Sequence, residues 1–144
     1  MQRRRMGSDG AERMGRIGVL SDLSIGQRRM LAAMADEATA AAGETLMRQG
    51  EPGYEVLMLE EGRADVIKDG QRINEMGPGD MIGELAVLED GVARTATVVA
   101  TTDVRAVVLT AHFMRELRER LPETGEQIDR AAAERRERDL RAGS

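Results

Sequence analysis

The stretch Gly79-Asp80-Met81-Ile82-Gly83-Glu84-Leu85-Ala86-Val87-Leu88-Glu89-Asp90-Gly91-Val92-Ala93-Arg94-Thr95-Ala96-Thr97-Val98 decides how this chain is read. Residues 83–88 leave a turn and predict one or two helical turns packed by Leu85 and Leu88. Unsatisfied N–H groups at such a helix start attract anions, and Gly83 lets an anion approach the backbone. Arg94 follows a short acidic loop and leads into a strand over 95–101, which returns it towards the same pocket. A guanidinium pairs with a phosphate through two parallel hydrogen bonds. Glu84, when ionised, only accepts, so beside a phosphate it binds a hydroxyl rather than the anion. A carboxylate for a sugar hydroxyl and a guanidinium for a phosphate together describe a nucleotide site.

Outward from this stretch, glycine punctuates the chain at 43, 50, 53, 62, 70, 77, 79, 83 and 91. The intervening segments 44–48, 54–60, 63–68, 72–76, 95–101 and 104–109 are short, and several alternate with period two. Many short strands with regular turns predict a sandwich, jelly roll or barrel. Helical periodicity holds on either side. Ser24 and Gln27 stand at capping-box spacing, and the apolar positions Leu31, Met34 and Ala35 predict a helix over 24–38. After Leu109, Thr110 is an N-cap for a helix carrying Phe113, Leu117 and Leu121, which Pro122 ends or turns. Thr124 and Gln127 offer a second capping box for a last helix to about Leu140. The expected fold is mainly β with flanking helices: one N-terminal helix, a β-roll or jelly-roll sandwich over about 43–109, and two C-terminal helices over about 110–140.

Composition limits the function classes. A chain of 144 residues has room for one domain and one core. Tyr54 and Phe113 are its two aromatics against ten methionines, so core volume comes from Leu, Val, Ile, Met and Ala. With no cysteine there is no disulfide or thiolate metal site, and a single histidine, His112, excludes a multi-histidine metal centre of the kind jelly-roll metal enzymes use. The longest apolar run spans the six residues 30–35, far short of the ~20 that cross a bilayer. The charged N-terminal end has no apolar signal segment, and the expected location is the cytoplasm, with no membrane partner.

Charge is segregated. Residues 1–16 carry five Arg against Asp9 and Glu12, residues 17–114 carry eight basic and sixteen acidic side chains, and residues 115–144 carry eight of each. An acidic body argues against a duplex nucleic-acid surface, which needs a basic face, and no nucleic-acid partner is expected. The basic end, 1–16, is expected to be a disordered, solubilising tail, and 17–141 a single domain.

The 79–98 stretch resembles the phosphate-binding cassette of cyclic nucleotide-binding domains, as in cAMP-dependent kinase regulatory subunits and catabolite-activator-type proteins. Gly83-Glu84-Leu85-Ala86 with Arg94-Thr95-Ala96-Thr97 carries most of the likeness. Residues 42–53, Ala-Gly-Glu-Thr-Leu-Met-Arg-Gln-Gly-Glu-Pro-Gly, resemble the family's second strand and turn, and Gly77-Pro78-Gly79-Asp80 the turn before the cassette. The resemblance implies that Glu84 accepts from the ribose 2′-hydroxyl and that Arg94 pairs with the exocyclic oxygens of the cyclic phosphate. Backbone groups of Leu85, Ala86, Thr95 and Ala96 complete the cradle, and Gly83 permits the turn. Leu85 and Val87, with Val98 or Val56, are implied to line the sugar and base. A lid over the base is implied from the final helix, with Ile128, Ala131, Ala132 and Arg135 as candidates.

The sequence departs from the family where a frequent proline before the cassette arginine is Ala93 and where frequent aromatics are Met81 and Ile82. Threonine directly after the cassette arginine goes with cGMP in some members and alanine with cAMP; Thr95 stands there, and the expected ligand is cAMP, or else cGMP. No cofactor, metal or catalytic residue is implied. The expected function is a stand-alone, non-enzymatic sensor that relays binding through its C-terminal helices to a separate effector protein. The alternative is a structural or protein-interaction module of the same fold that no longer binds nucleotide.

Overall fold

The computed structural model describes residues 1–83 and 93–142, in two antiparallel sheets and a set of helices. In chain order these are β1 (Gln2–Arg5), α1 (Gly10–Met14), α2 (Gly18–Ser21), α3 (Ile25–Met34), β2 (Asp36–Ala40), β3 (Thr45–Met47), β4 (Glu55–Glu61), β5 (Ala64–Lys68), β6 (Gln71–Met76), β7 (Met81–Ile82), β8 (Thr97–Ala100), β9 (Val104–Thr110), α4 (Ala111–Arg120) and α5 (Pro122–Ala142). One sheet runs β1-β2-β9-β4-β7 and the other β3-β8-β5-β6.

Strands β4 and β9 explain the layering. In a strand, successive side chains point to opposite faces. Val56 and Met58 of β4, with Val107 and Leu109 of β9, pack under the helices against Met14, Ile17, Leu31, Phe113, Met114 and Ile128. Their neighbours Leu57, Leu59, Ala106 and Val108 face the second sheet and meet Val66, Met76, Val98 and Ala100. A strand apolar at four successive positions, 56–59 in β4 and 106–109 in β9, therefore serves two cores at once. Methionine and small aliphatic residues fill both, as the near absence of aromatics requires.

Two of the expected helix starts form as the sequence predicts. Ser24 Oγ accepts from Gln27 N–H at 3.1 Å while Gln27 Oε1 accepts from Ser24 N–H at 2.8 Å, and Thr110 Oγ1 accepts from Phe113 N–H at 3.1 Å. The third does not. The last helix begins at Pro122, whose missing N–H costs nothing in a first turn. Thr124 is thereby drawn inside the helix, and no partner is found among the described residues for Thr124 Oγ1 or Gln127 Oε1. A Cβ on Gly125 would lie 2.9 Å from Arg118 Cγ, so α4 and α5 meet closely there, and Arg118 clasps Asp129 through two hydrogen bonds of 2.9 and 2.8 Å.

Two expectations are corrected at the N-terminal side. The helix expected over 24–38 ends at Met34, because Asp36–Ala40 pairs with β9 from Asp36↔Val108 to Ala40↔Val104. The sheets thus start before residue 43. Residues 1–16 are not a disordered tail in this structure. Gln2–Arg5 pairs antiparallel with β2, from Gln2↔Thr39 to Arg5↔Asp36, and Gly10–Met14 is helical with Met14 fully buried. The physical reason is the charge segregation itself: the basic end folds onto the acidic body.

Arg13 anchors this attachment. It is buried, with Nη2 2.7 Å from both Glu37 Oε2 and Glu60 Oε2 and Nε 2.8 Å from Glu60 Oε1, while Arg4 also pairs with Glu37. The hydrogen bonds to Glu60 raise Arg13 above its ordinary value, against the opposing effect of burial. Glu37 is only 2% exposed. Burial by itself would raise its carboxyl, but the hydrogen bonds from Arg13 and Arg4 outweigh that and hold it below its ordinary value of 4.5. A depressed folded-state value means that this contribution to stability is present above pH 4.5 and is lost as pH falls through the folded value. Arg13→Ala should lower the unfolding free energy by about 3–5 kcal/mol at neutral pH, since Glu60 loses its cation and the buried Glu37 is left with Arg4 alone. Urea unfolding of wild type and variant should show the gap narrowing as pH drops below 4.5, where the unfolded chain takes up a proton that the folded Glu37 still refuses.

Candidate functional site

The site is built where β7 runs out. Met81 and Ile82 pair with Met58 and Leu57 of β4, and both are buried. Gly83 follows with φ +83°, a conformation that side chains other than glycine's resist. Space enforces the same choice. A Cβ at Gly83 would stand 2.5 Å from Arg94 Nη1, 2.7 Å from Met47 Cε and 2.8 Å from the main-chain oxygen of Glu55. The 83 position is therefore the meeting point of β3, β4 and the Arg94 side chain.

Arg94 is held from two directions. Its N–H donates to Glu51 O at 2.7 Å, its own oxygen accepts from Gly50 N–H at 2.8 Å, and Ala93 bridges to Pro52. Its guanidinium then lies against Gly53, where a Cβ would come within 2.8 Å of Nε, Cζ and Nη1. The half-buried guanidinium thus rests between two bare glycine backbones, Gly53 and Gly83. Removing the side chains on either side brings main chain and cation close together. A planar cation so placed suits an anion with paired oxygens, such as a phosphate.

Of the sequence-predicted site residues, Gly83 and Arg94 come together. Thr95 is exposed and Ala96 half-buried, both just before β8. Thr97 Oγ1 accepts from Gln49 N–H at 3.0 Å, a second tie between this segment and the 48–53 turn. Glu84, Leu85, Ala86 and Val87 lie outside the described residues. Val56 and Val98 are buried, one in each core. Ile128 is fully buried in the helix-side core, whereas the side chains of Ala131, Ala132 and Arg135 lie outside what the structure describes. Helix α5 nevertheless passes beside β6 and β7. Sequence reasoning did not assign Gly53, Met47 or the Gly50 and Glu51 backbone to the site, although the spacing of Gly50 and Gly53 in the 48–53 turn was a signal.

The chain belongs to the cyclic nucleotide-binding domain family, whose sequence model matches residues 37–120 and so includes β7, Gly83 and Arg94. A cAMP-dependent protein kinase regulatory subunit from Aspergillus niger is 37% identical over 110 residues, covering 75% of this chain and 26% of that protein. A cGMP-dependent protein kinase, egl-4, from Caenorhabditis briggsae is 36% identical over 85 residues, covering 59% of this chain and 11% of that protein. The crystal structure of a cyclic nucleotide-binding domain from Methylobacillus flagellatus KT superimposes with a TM-score of 0.79 at 25% identity, over 96% of this chain and 86% of that one. The chain spans about a quarter of the length of the kinase regulatory subunits it resembles. Among the described residues, no helix is long and apolar enough to cross a membrane.

Two glycine substitutions separate folding from binding. Gly83→Ala meets a main-chain oxygen and a positive φ, and should cost about 1–3 kcal/mol of stability in thermal unfolding. For Gly53→Ala the three nearest atoms all belong to the Arg94 guanidinium, a flexible side chain that can swing away. The substitution should change stability by less than about 1 kcal/mol. Titration of the same Gly53→Ala protein should nonetheless show anion affinity reduced about tenfold, a difference of roughly 1.4 kcal/mol.

Proposed function

We propose that this protein is a cyclic nucleotide sensor module that binds cAMP, or cGMP, and acts by binding rather than by catalysis. The observation that carries the reading is the Arg94 guanidinium set between Gly53 and Gly83, at the cassette position of a family member. In this reading Arg94 pairs with the exocyclic phosphate oxygens and Glu84 accepts from the ribose 2′-hydroxyl. Backbone groups of Leu85, Ala86, Thr95 and Ala96 complete the cradle. The names of the relatives support both bases, since one is a cAMP-dependent and another a cGMP-dependent kinase.

Relay follows from how the site is attached. The residues before Gly83 belong to β7, and α5 runs beside that strand while being clasped to α4 by Arg118 and Asp129. A shift of the cassette towards a bound phosphate is then felt by α5, and the ligand favours whichever helix arrangement it binds more tightly. A separate effector protein reads that arrangement from the C-terminal helices.

Titration calorimetry with cAMP, cGMP and 5′-AMP in parallel tests the reading. Binding of a cyclic nucleotide at micromolar concentration or tighter, with little for 5′-AMP, is the expected result. Arg94→Ala should weaken it by about 2–5 kcal/mol, because a buried phosphate loses its counter-charge. Glu84→Ala should weaken it by about 1.5–3 kcal/mol, the range of a hydrogen bond to a charged group. Absence of binding to either cyclic nucleotide would favour an interaction module of the same fold.

A further inference from the structure

The N-terminal strand reaches the wall of the candidate site. Arg3 stands opposite Ala38 in the β1–β2 ladder, but its guanidinium extends beyond the neighbouring strand. Nη2 lies 3.2 Å from Asp36 Oδ2, and Nη1 lies 2.5 Å from Glu55 Oε2. Glu55 is the first residue of β4, and its main-chain oxygen is one of three atoms that a Cβ at Gly83 would strike. Two residues earlier, Gly53 is the surface on which the Arg94 guanidinium rests. The segment 53–55 is therefore held by Arg3 through the Glu55 side chain, while it meets Arg94 at Gly53 and Gly83 at the Glu55 main-chain oxygen. The Arg3 and Glu55 side chains are 36% and 24% exposed, so solvent only partly screens the pair.

We propose that Arg3 is a positioning residue for the anion site, neutralising the Glu55 carboxylate and holding the 53–55 segment against Gly83 and Arg94. The inference rests on the phosphate-binding reading above. A carboxylate left uncompensated beside a bound phosphate repels it, with a reach of about 8 Å at physiological ionic strength and more in dilute salt. Reciprocity follows: if Arg3 docking favours the ligand, the ligand favours Arg3 docking by the same factor. The basic end of the chain thus bears on ligand affinity although none of its residues is part of the cassette.

The test uses the full chain carrying Arg3→Gln, Glu55→Gln, both together, or Arg3→Lys, titrated with cAMP and cGMP at low and at physiological salt. Arg3→Gln should bind about three- to tenfold more weakly at low salt, with a smaller loss at physiological salt. Glu55→Gln should bind as well as wild type or better, the double variant should recover wild-type affinity, and Arg3→Lys should stay near wild type because it keeps the charge. A double variant as weak as Arg3→Gln, with no salt dependence, would assign Arg3 a purely structural role and overturn the proposal. Arg3→Gln binding like wild type would overturn it as well, leaving the nucleotide reading intact. A wild-type protein that binds neither nucleotide would overturn that reading and the inference with it.

Discussion

Strands β4 and β9 are buried on both faces, and the remaining elements are arranged to satisfy that constraint. Each of the two strands presents one set of side chains to the helices and the alternate set to the second sheet. A slip of one residue in their pairing would exchange the two sets, so the register Val56↔Leu109 to Leu59↔Ala106 is tightly specified. Helices α3, α4 and α5 cover one face, and β3, β5, β6 and β8 cover the other. The candidate site follows from the same pairing, because β7 lies on the free side of β4 and delivers Gly83 to the end of that strand.

Charge does at the edges what apolar packing does in the middle. A basic segment of five arginines faces an acidic body, and the contact is sorted by depth. Arg13 and Glu37 are buried, with Glu60 completing the network, whereas Arg3 and Asp36 are half open to water. A buried ion network contributes little net stability compared with an apolar replacement, yet losing one member is costly. Its structural effect is to set α1 over β2 and β4 in one position, since displacing Arg13 would take from Glu60 its cation and leave Glu37 to Arg4. The exposed pairs add little to stability, but one of them, Arg3 with Glu55, touches the segment that walls the site.

At the site, glycine does the work that side chains do elsewhere. Gly83 takes a positive φ and leaves room for Arg94, Met47 and the Glu55 oxygen at once; Gly53 leaves room for the guanidinium face. The arginine is aimed by its own main chain, which is tied at both N–H and oxygen to the 50–51 turn. Precision here comes from backbone hydrogen bonds between two loops more than forty residues apart in sequence.

The amino-acid sequence by itself determined the class of fold, the two flanking groups of helices, the caps at Ser24 and Thr110, and the convergence of Gly83 and Arg94 on one place. Those features rest on local rules: period-two alternation, side-chain oxygens at helix starts, and glycine where the backbone needs φ > 0. Tertiary structure alone decided that 36–40 is a strand, that Pro122 rather than Thr124 opens the last helix, and that residues 2–5 join a sheet. The run Asp-Glu-Ala-Thr-Ala carries almost no apolar signal, because Glu37 is buried by Arg13 and Arg4 rather than by hydrophobicity. Likewise, an arginine run resembles a solvated tail until its carboxylate partners, 33 to 52 residues away, are brought beside it. Long-range ion pairs leave no periodicity in a sequence, so only the folded chain could show them.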